Sequence, residues 1–159
     1  MKFFSSSSTH KIDGKGRVSI PAHFRKVLDL EAQPGVVLIP DVRGEPAIEG
    51  FGYGRFEELV EAIDRMPIME EETMALAHVM LGEARHFQLD ETGRILLGAE
   101  VKAWAGLTDS ALFVGLGKRF QIWNPETHAA RMTEMKTKAR ANLSRIPWAG
   151  GAAARERAS

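Results

Sequence analysis

The chain of 159 residues has no cysteine and no long apolar run. The absence of cysteine excludes disulfide bonds and thiolate metal sites. No stretch approaches the roughly 20 consecutive apolar residues that a membrane-spanning helix requires. The opening Met1-Lys2-Phe3-Phe4-Ser5 leads into further serines, where a signal peptide would carry its apolar centre. We therefore expect a cytoplasmic protein.

The sequence also lacks net charge, because 21 lysines and arginines balance 21 aspartates and glutamates. The overall charge therefore does not indicate a globally basic nucleic-acid binder. The charges are nevertheless segregated along the chain. Residues 1–26 carry six basic side chains against one acid, and residues 57–72 carry seven acidic side chains against one arginine. Such a field can attract a polyanion to one face of the molecule, or the acids can simply form a solvated helix face.

Patterns typical of enzymes and metal sites are missing as well. The five histidines form no His-x-x-x-His or His-Glu-x-x-His pair, so a metal site is not indicated. The glycines within 50–54 and 115–117 lack the spacing of phosphate-binding loops, and we interpret both stretches as turns. The serines at 5–8 have no identifiable base or oxyanion partner. An enzyme is the least favoured class.

The most informative feature is an internal repeat. Residues 13–22 return in altered form 77 residues later as residues 90–99. Both copies place an acid, a glycine next to an arginine, a short aliphatic strand and a helix start in the same order. A duplication of this kind fits two half-domains that share one core better than two separately stable domains.

Hydrophobic periodicity and turn residues predict the elements around each copy. The predicted strands are 17–20, 36–39, 47–51, 94–97, 111–115 and 119–123. The predicted helices are 21–30, about 56–66, about 69–84, 99–105 and about 125–143. Residues up to about Lys11 are expected to be weakly specified. The methionine-bearing acidic helices can form core or a subunit contact, with core favoured, and Trp104, Trp123 and Trp148 are interpreted as core or interface anchors.

The repeated Asp-x-x-x-Arg pattern has a physical meaning of its own. A short carboxylate accepts backbone N–H groups in a tight turn, and glycine permits a positive φ. The arginine is then presented in few directions. It can bind guanine bidentately or fork a phosphate, and a two-stranded β element fits the DNA major groove. Arg17 is the first candidate for such a contact, and a salt bridge to Asp13 without any ligand is the alternative.

The remaining candidates surround the two arginines. They are Lys15 and Lys11 as phosphate contacts, Gly14 and Gly16 for close backbone approach, Arg94 in the second copy, and Asp13 and Asp90 as the residues that shape the loops. Arg25, on the helix after Pro21, is less suited to reach DNA.

Three stretches together resemble a known family. They are residues 9–25, residues 89–97 and residues 113–123. Their twice-occurring Asp-x-x-x-Arg with matching flanks, within residues 3–143, resembles the MraZ family. The resemblance implies an α+β fold in which two tandem AbrB-like swapped-hairpin β-barrel halves pair within one chain, flanked by helices. It also implies a bacterial DNA-binding transcriptional regulator of the division and cell-wall gene cluster, including its own promoter, that assembles into a ring.

The second copy departs from the family pattern. It has Gly98 in place of the expected proline, Val101-Lys102 in place of Leu-Arg, and Glu91-Thr92 without the lysine found at Lys15. DNA contact is therefore expected more of the first copy than of the second, where Arg94 can instead hold Asp90.

These inferences divide the chain into five segments. They are a first AbrB-like half (3–54), an acidic helical connector (55–85), a second half (86–124), a C-terminal helix (125–145) and a mobile tail (146–159). The expected function is cooperative binding of double-stranded DNA at direct repeats by a homo-oligomeric ring, cytoplasmic and nucleoid-associated, without cofactor, membrane or small-molecule substrate. The alternatives are an AbrB-like antitoxin or global regulator, and a ring-shaped scaffold for protein partners.

Overall fold

A computed structural model describes residues 2–148 of the chain, which comprises two compact units, Met1–Pro125 and Glu126–Ser159. The strands are β1 (Ser7–Lys11), β2 (Arg17–Ser19), β3 (Val36–Pro40), β4 (Ala47–Phe51), β5 (Arg85–Phe87), β6 (Arg94–Leu96), β7 (Ser110–Gly115) and β8 (Phe120–Trp123). The helices are α1 (Ala22–Leu28), α2 (Tyr53–Asp64), α3 (Glu71–Leu76), α4 (Gly98–Trp104) and α5 (Pro125–Ala141). A π-helical segment (Ala77–Gly82) follows α3, and a 3-10 turn (Leu143–Arg145) follows α5. The expected α+β class is confirmed.

Six strands form one antiparallel sheet in the order β1-β7-β8-β4-β3-β5. Exchanging the two halves of the chain maps this order onto its own reverse, because β1 corresponds to β5, β3 to β7 and β4 to β8. β1 pairs with β7 and β5 pairs with β3, so each half adds its first strand to the hairpin of the other half. β4 and β8 join the two hairpins at the centre. The duplication therefore builds one shared sheet.

The strands of the two repeat copies, β2 and β6, form a separate two-stranded antiparallel ribbon. Arg17 pairs with Leu96, Val18 with Ile95, and Ser19 with Arg94. Val18 and Ile95 are buried in the core. Because side chains alternate between the faces of a strand, the other two pairs lie on the opposite face of the ribbon. Within residues 2–148, the strands form these two sheets, and no closed barrel is among their pairings.

The main core collects side chains from both halves. At its centre are Phe4, Phe24, Phe113 and Phe120, whose ring centroids lie 5.1–6.2 Å apart in edge-on or tilted contacts. Such contacts add to the stabilisation that aromatic burial itself provides. Two of these rings come from each half of the chain, so neither half has a complete core alone.

A second apolar cluster covers the other face of β3 and β4. Val37, Ile39 and Phe51 pack against side chains of α2 and of the segment that ends the connector: Tyr53, Phe56, Leu59, Met80 and Ala84. Core packing of the connector is thus confirmed for Met80. Ile68 and Met69, in the turn between α2 and α3, are exposed at 75% and 93%, and Met74 of α3 is exposed at 50%, so this part of the connector contributes apolar surface instead.

The expectation that residues before Lys11 are weakly specified is wrong. Residues 7–11 form β1, which pairs with β7 over five residues, and Phe4 is 3% exposed in the main core. Phe4 also exchanges two backbone hydrogen bonds of 2.8 Å with Gly117. The serine-rich composition is misleading here, because the pairing is supplied by a partner strand about 100 residues away in sequence.

Several element boundaries also differ from the prediction. The predicted helix over 69–84 begins as α3 and continues as a π-helical segment. Pro21 is the N-cap of α1 rather than its first helical residue, and Pro40 is the last residue of β3. The predicted turn at 50–54 is in fact the junction at which β4 ends and α2 begins.

The second unit contains most of α5 and the turn after it. α5 ends at Ala141, close to the predicted end, and Lys138 pairs with Glu134 at 3.1 Å. Of the tryptophans interpreted as anchors, Trp123 is buried and Trp104 packs partly buried against the core, whereas Trp148 is 62% exposed. Most of the predicted mobile tail, 149–159, lies outside the described residues. In the described part of the chain, no helix has the length and apolar character to cross a membrane.

Candidate nucleic-acid interface

The first Asp-x-x-x-Arg copy forms a closed turn. The Asp13 carboxylate accepts hydrogen bonds at Oδ1 from the backbone N–H groups of Lys15 and Arg17, both at 2.9 Å. Its Oδ2 accepts from Nε of Arg17 at 2.7 Å. Gly16 donates to the carbonyl of Asp13 and has φ +87°, a conformation that favours glycine. The arginine side chain is therefore oriented by the same carboxylate that closes the turn.

The second copy repeats this geometry. Asp90 Oδ1 accepts from the backbone N–H groups of Thr92 and Arg94 at 2.9 Å, and Oδ2 accepts from Nε of Arg94 at 3.1 Å. The Thr92 hydroxyl adds a bond to Oδ1 at 2.9 Å, and Gly93 has φ +79°. The side chains of Arg17 and Arg94 are 35% and 34% exposed. The two turns share their backbone and guanidinium hydrogen bonds, but the second has the Thr92 hydroxyl where the first has the charge of Lys15.

The hydrogen bonds shift the titration of both carboxyls. The N–H of Arg17 is the largest influence on Asp13, and it lowers the pKa of that carboxyl from 3.8 to about 2. The N–H of Arg94 likewise leads the causes that lower the pKa of Asp90 to about 2. Hydrogen bonds to the ionised form stabilise the carboxylate relative to the acid. Both aspartates are therefore ionised wherever the protein is folded near neutral pH.

The ribbon holds the two turns together. Leu97 donates to the carbonyl of Gly16 at 3.0 Å, and Ile20 donates to the carbonyl of Gly93 at 2.9 Å. Each turn is thus bonded to the residue that directly follows the strand of the other copy. The outward face of the ribbon carries Arg17, Ser19, Arg94 and Leu96, and Leu96 is 58% exposed directly opposite Arg17. Residue-by-residue reasoning missed Ser19 and Leu96, because only the strand register brings them beside the arginines.

The alternative interpretation of Arg17, a salt bridge to Asp13, describes a contact that is present. That ion pair engages Nε alone. Among residues 2–148, no hydrogen-bond acceptor contacts either terminal nitrogen of Arg17 or of Arg94. Each ion pair therefore orients its guanidinium through Nε and leaves the terminal nitrogens available to a ligand.

The other predicted residues lie around the first turn. Gly14 and Lys15 are exposed at its tip, and Lys11 is exposed at the end of β1. A Cβ on Gly14 would meet no atom within 4 Å, so packing does not require glycine there. Arg25 points elsewhere: its Nη1 donates to the carbonyl of Thr92 at 3.1 Å, in the second turn.

The remaining glycine-rich stretches serve packing. A Cβ on Gly50 would collide with the ring of Phe120, and a Cβ on Gly52 or Gly54 would lie 2.6 Å from the carboxylate of Glu31. Glu31 accepts the N–H of Gly54 at 3.1 Å, at the N-terminus of α2. The protein's own carboxylate therefore occupies the position where an anion would bind. The described residues also contain no group of three or more potential metal ligands.

The molecule is therefore an internally duplicated α+β protein with two arginines on the exposed face of an antiparallel ribbon, each oriented by an aspartate. Comparison with known proteins identifies the family. The MraZ family model, described as "MraZ protein" and antitoxin-like, matches residues 3–78 and again residues 80–145. The chain belongs to the MraZ family.

Relatives from several bacteria agree with this assignment. The chain is 42% identical to the "Transcriptional regulator MraZ" of Parvibaculum lavamentivorans over 134 residues, which cover 84% of this chain and 83% of the relative. It is 39% identical to the protein of the same name from Gluconobacter oxydans, over 88% of this chain and 87% of the relative. The corresponding Rhodospirillum rubrum protein is 41% identical over 79% of this chain and 81% of its own length.

Proposed function

We propose that this protein is a DNA-binding transcriptional regulator that contacts DNA through the outward face of the β2–β6 ribbon. The proposal rests on one observation: Arg17 and Arg94 lie on the same exposed face of the ribbon, and an aspartate orients each of them through a hydrogen bond from Nε. The relatives' name, transcriptional regulator, supports the regulatory role. The protein would act in the cytoplasm, associated with the nucleoid, and without catalysis.

The ribbon suits the DNA major groove. A two-stranded antiparallel ribbon fits within the groove, which is about 12 Å wide. The terminal nitrogens of an arginine can bind O6 and N7 of guanine, or two oxygens of a phosphate. Because each Nε is already bonded to an aspartate, the guanidinium has little freedom left to lose on binding.

The first turn has the stronger electrostatic attraction for DNA. Lys11 and Lys15 accompany Arg17, whereas Gln88 and Thr92 occupy the equivalent positions beside Arg94. Lysines at such positions neutralise phosphates and release counterions, which makes affinity dependent on salt. Contacts of this kind fix the position of the protein on the duplex, and the arginines supply the sequence preference.

A single chain offers only a few contacts, so we propose that binding is cooperative. Several copies in a ring would place identical ribbons side by side on direct repeats, and effective concentration would raise the affinity. The sites would lie in the division and cell-wall gene cluster, including the promoter of the protein's own gene. In this proposal each half is a swapped-hairpin barrel unit of the AbrB type, in keeping with the exchange of β1 and β5.

The decisive experiment compares Arg17→Ala with Arg65→Ala on DNA from upstream of the gene, by fluorescence anisotropy. Arg65 is an exposed arginine on the acidic connector and serves as the matched control. Loss of a bidentate base contact costs about 1–3 kcal/mol, so we expect Arg17→Ala to weaken binding by roughly 5- to 150-fold. Arg65→Ala should bind like the wild type, and light scattering should give one oligomer size for all three proteins.

Unchanged DNA affinity of Arg17→Ala would refute the assignment of the ribbon. Wild-type protein that binds this DNA no better than a scrambled duplex would refute the regulator itself. Full affinity for a single isolated half-site would refute the cooperative assembly on direct repeats.

The antitoxin-like description of the family favours a second candidate function, neutralisation of a partner toxin. The duplication within one chain argues against it, because a short dimeric antitoxin obtains the same pairing from two copies. If the gene next to this one encodes a toxic protein, co-expression distinguishes the two candidates. A stable complex and restored growth would support the antitoxin.

A further inference from the structure

The second arginine turn lacks a lysine beside its arginine. Glu91 and Thr92 stand where the first turn has Gly14 and Lys15. The fold brings a cation there from a distant part of the sequence. Nη1 of Arg25, on α1 of the first half, donates to the carbonyl of Thr92 at 3.1 Å, across 67 residues of sequence. This contact joins the first half of the chain to the turn of the second half.

Arg25 lies close to the second turn, and the first turn has no equivalent contact at its glycine. Arg25 lies so near Gly93 that a Cβ on that glycine would be 2.5 Å from Cδ and 2.8 Å from Cζ of the arginine. Gly16, the equivalent glycine of the first turn, would meet only Leu96 at 3.6 Å and Gly98 at 3.9 Å. No atom of Lys102, which is equivalent to Arg25 in the second half, lies within 4 Å of that Cβ position on Gly16. The second turn, which has no lysine, is thus the turn that Arg25 contacts.

The guanidinium of Arg25 keeps binding capacity in this position. Arginine carries five N–H donors, and the bond to Thr92 uses one. Within residues 2–148, no other acceptor contacts this side chain, and it is partly exposed. Arg25 lies against the same turn that aims Arg94. The side chain that carries these remaining donors therefore lies beside the turn that orients Arg94.

We infer that Arg25 is the phosphate-binding residue of the second turn, in the role that Lys15 has in the first. This inference rests on the proposed DNA-binding function. With Arg25 in this role, each turn has an arginine oriented by an aspartate and a second cation beside it, Lys15 in the first turn and Arg25 in the second. It also explains how the second copy can lack the lysine and still take part in binding.

The test measures DNA affinity of the full chain as a function of salt concentration. Arg25→Ala should weaken binding to the upstream DNA about tenfold, as expected for loss of an exposed charge-assisted hydrogen bond. The slope of log affinity against log salt should fall by about one for each copy that engages the DNA, because one phosphate contact is lost. Lys102→Ala, at the equivalent position of the other half, should change neither quantity.

A compensating variant guards against a purely structural effect. In Arg25→Ala/Thr92→Lys, the second turn gains the lysine that the first turn has, and the salt slope should return to the wild-type value. An unchanged slope in Arg25→Ala, an equal loss in Lys102→Ala, or no recovery in the double variant would overturn the inference. If Arg17→Ala abolishes binding while Arg25→Ala binds normally, this inference fails and the DNA-binding function stands. If Arg17→Ala also binds normally, the ribbon proposal fails with it.

Discussion

At the scale of single residues, one carboxylate determines the conformation of each arginine turn. Asp13 accepts two backbone N–H groups and the Nε of Arg17, and Asp90 does the same for the second turn. These bonds favour the ionised carboxylate, so the pKa in the folded protein is lowered from 3.8 to about 2. The stabilisation is complete above the unfolded value near 3.8, and it is lost as the pH falls through about 2.

We therefore expect the carboxyl carbons of Asp13 and Asp90 to titrate near pH 2 in NMR spectra of the folded protein. A peptide spanning residues 9–21 lacks the fixed turn, and its aspartate should titrate near 3.8. Asp13→Asn should remove one of the two low-pH transitions and leave the other. A midpoint near 3.8 in the folded protein would contradict the hydrogen-bonded turn.

At the scale of elements, α2 depends on a carboxylate from another part of the chain. Its N-cap, Gly52, has no capping side chain, and Glu31 accepts the N–H of Gly54 instead. The negative charge also interacts favourably with the partial positive charge of the helix N-terminus. The glycines at 52 and 54 leave space for this carboxylate.

We expect Glu31→Ala to destabilise the protein by about 0.5–2 kcal/mol, the usual effect of losing an N-cap, as measured by urea unfolding. Gly52→Ala would place its Cβ 2.6 Å from Glu31, so it should destabilise the wild type too. The same substitution in the Glu31→Ala background should cost clearly less, because the clash is gone. Additive effects of the two substitutions would contradict the cap.

For the molecule as a whole, the two halves depend on each other, because each adds a strand to the sheet of the other and side chains to one shared core. β1 extends the hairpin of the second half, and Phe4 packs against both Phe24 and Phe120. Gly115 permits this close approach, because a Cβ there would collide with the backbone of Phe4 and Ser5. The N-terminal segment is therefore part of the core.

Phe4→Ala should lower the free energy of unfolding by about 3–5 kcal/mol, the usual range for a buried phenylalanine. Phe3, the adjacent residue, is 53% exposed, and Phe3→Ala should change stability by no more than about 0.5 kcal/mol. Thermal and urea unfolding of the two variants make this comparison. Equal stabilities would show that the segment is not anchored in the core.

The repeat, the α+β class, most of the strands and helices, and the identity of the paired aspartates and arginines could all be predicted from the amino-acid sequence. These features are local, because the hydrogen bonds within each Asp-x-x-x-Arg turn join residues no more than four positions apart. Hydrophobic spacing likewise reports on one element at a time.

Which elements pack or pair with one another became known from the folded structure. The serine-rich segment becomes a strand because β7 pairs with it, and Leu96 lies beside Arg17 because of the ribbon register. Arg25 reaches the second turn across 67 residues, a contact that no local pattern encodes. The second turn has fewer favourable residues in sequence, yet it has all the hydrogen bonds of the first and one more from the Thr92 hydroxyl. The physical reason is that strand pairing and packing join residues distant in sequence, so their partners become known only when the chain is folded.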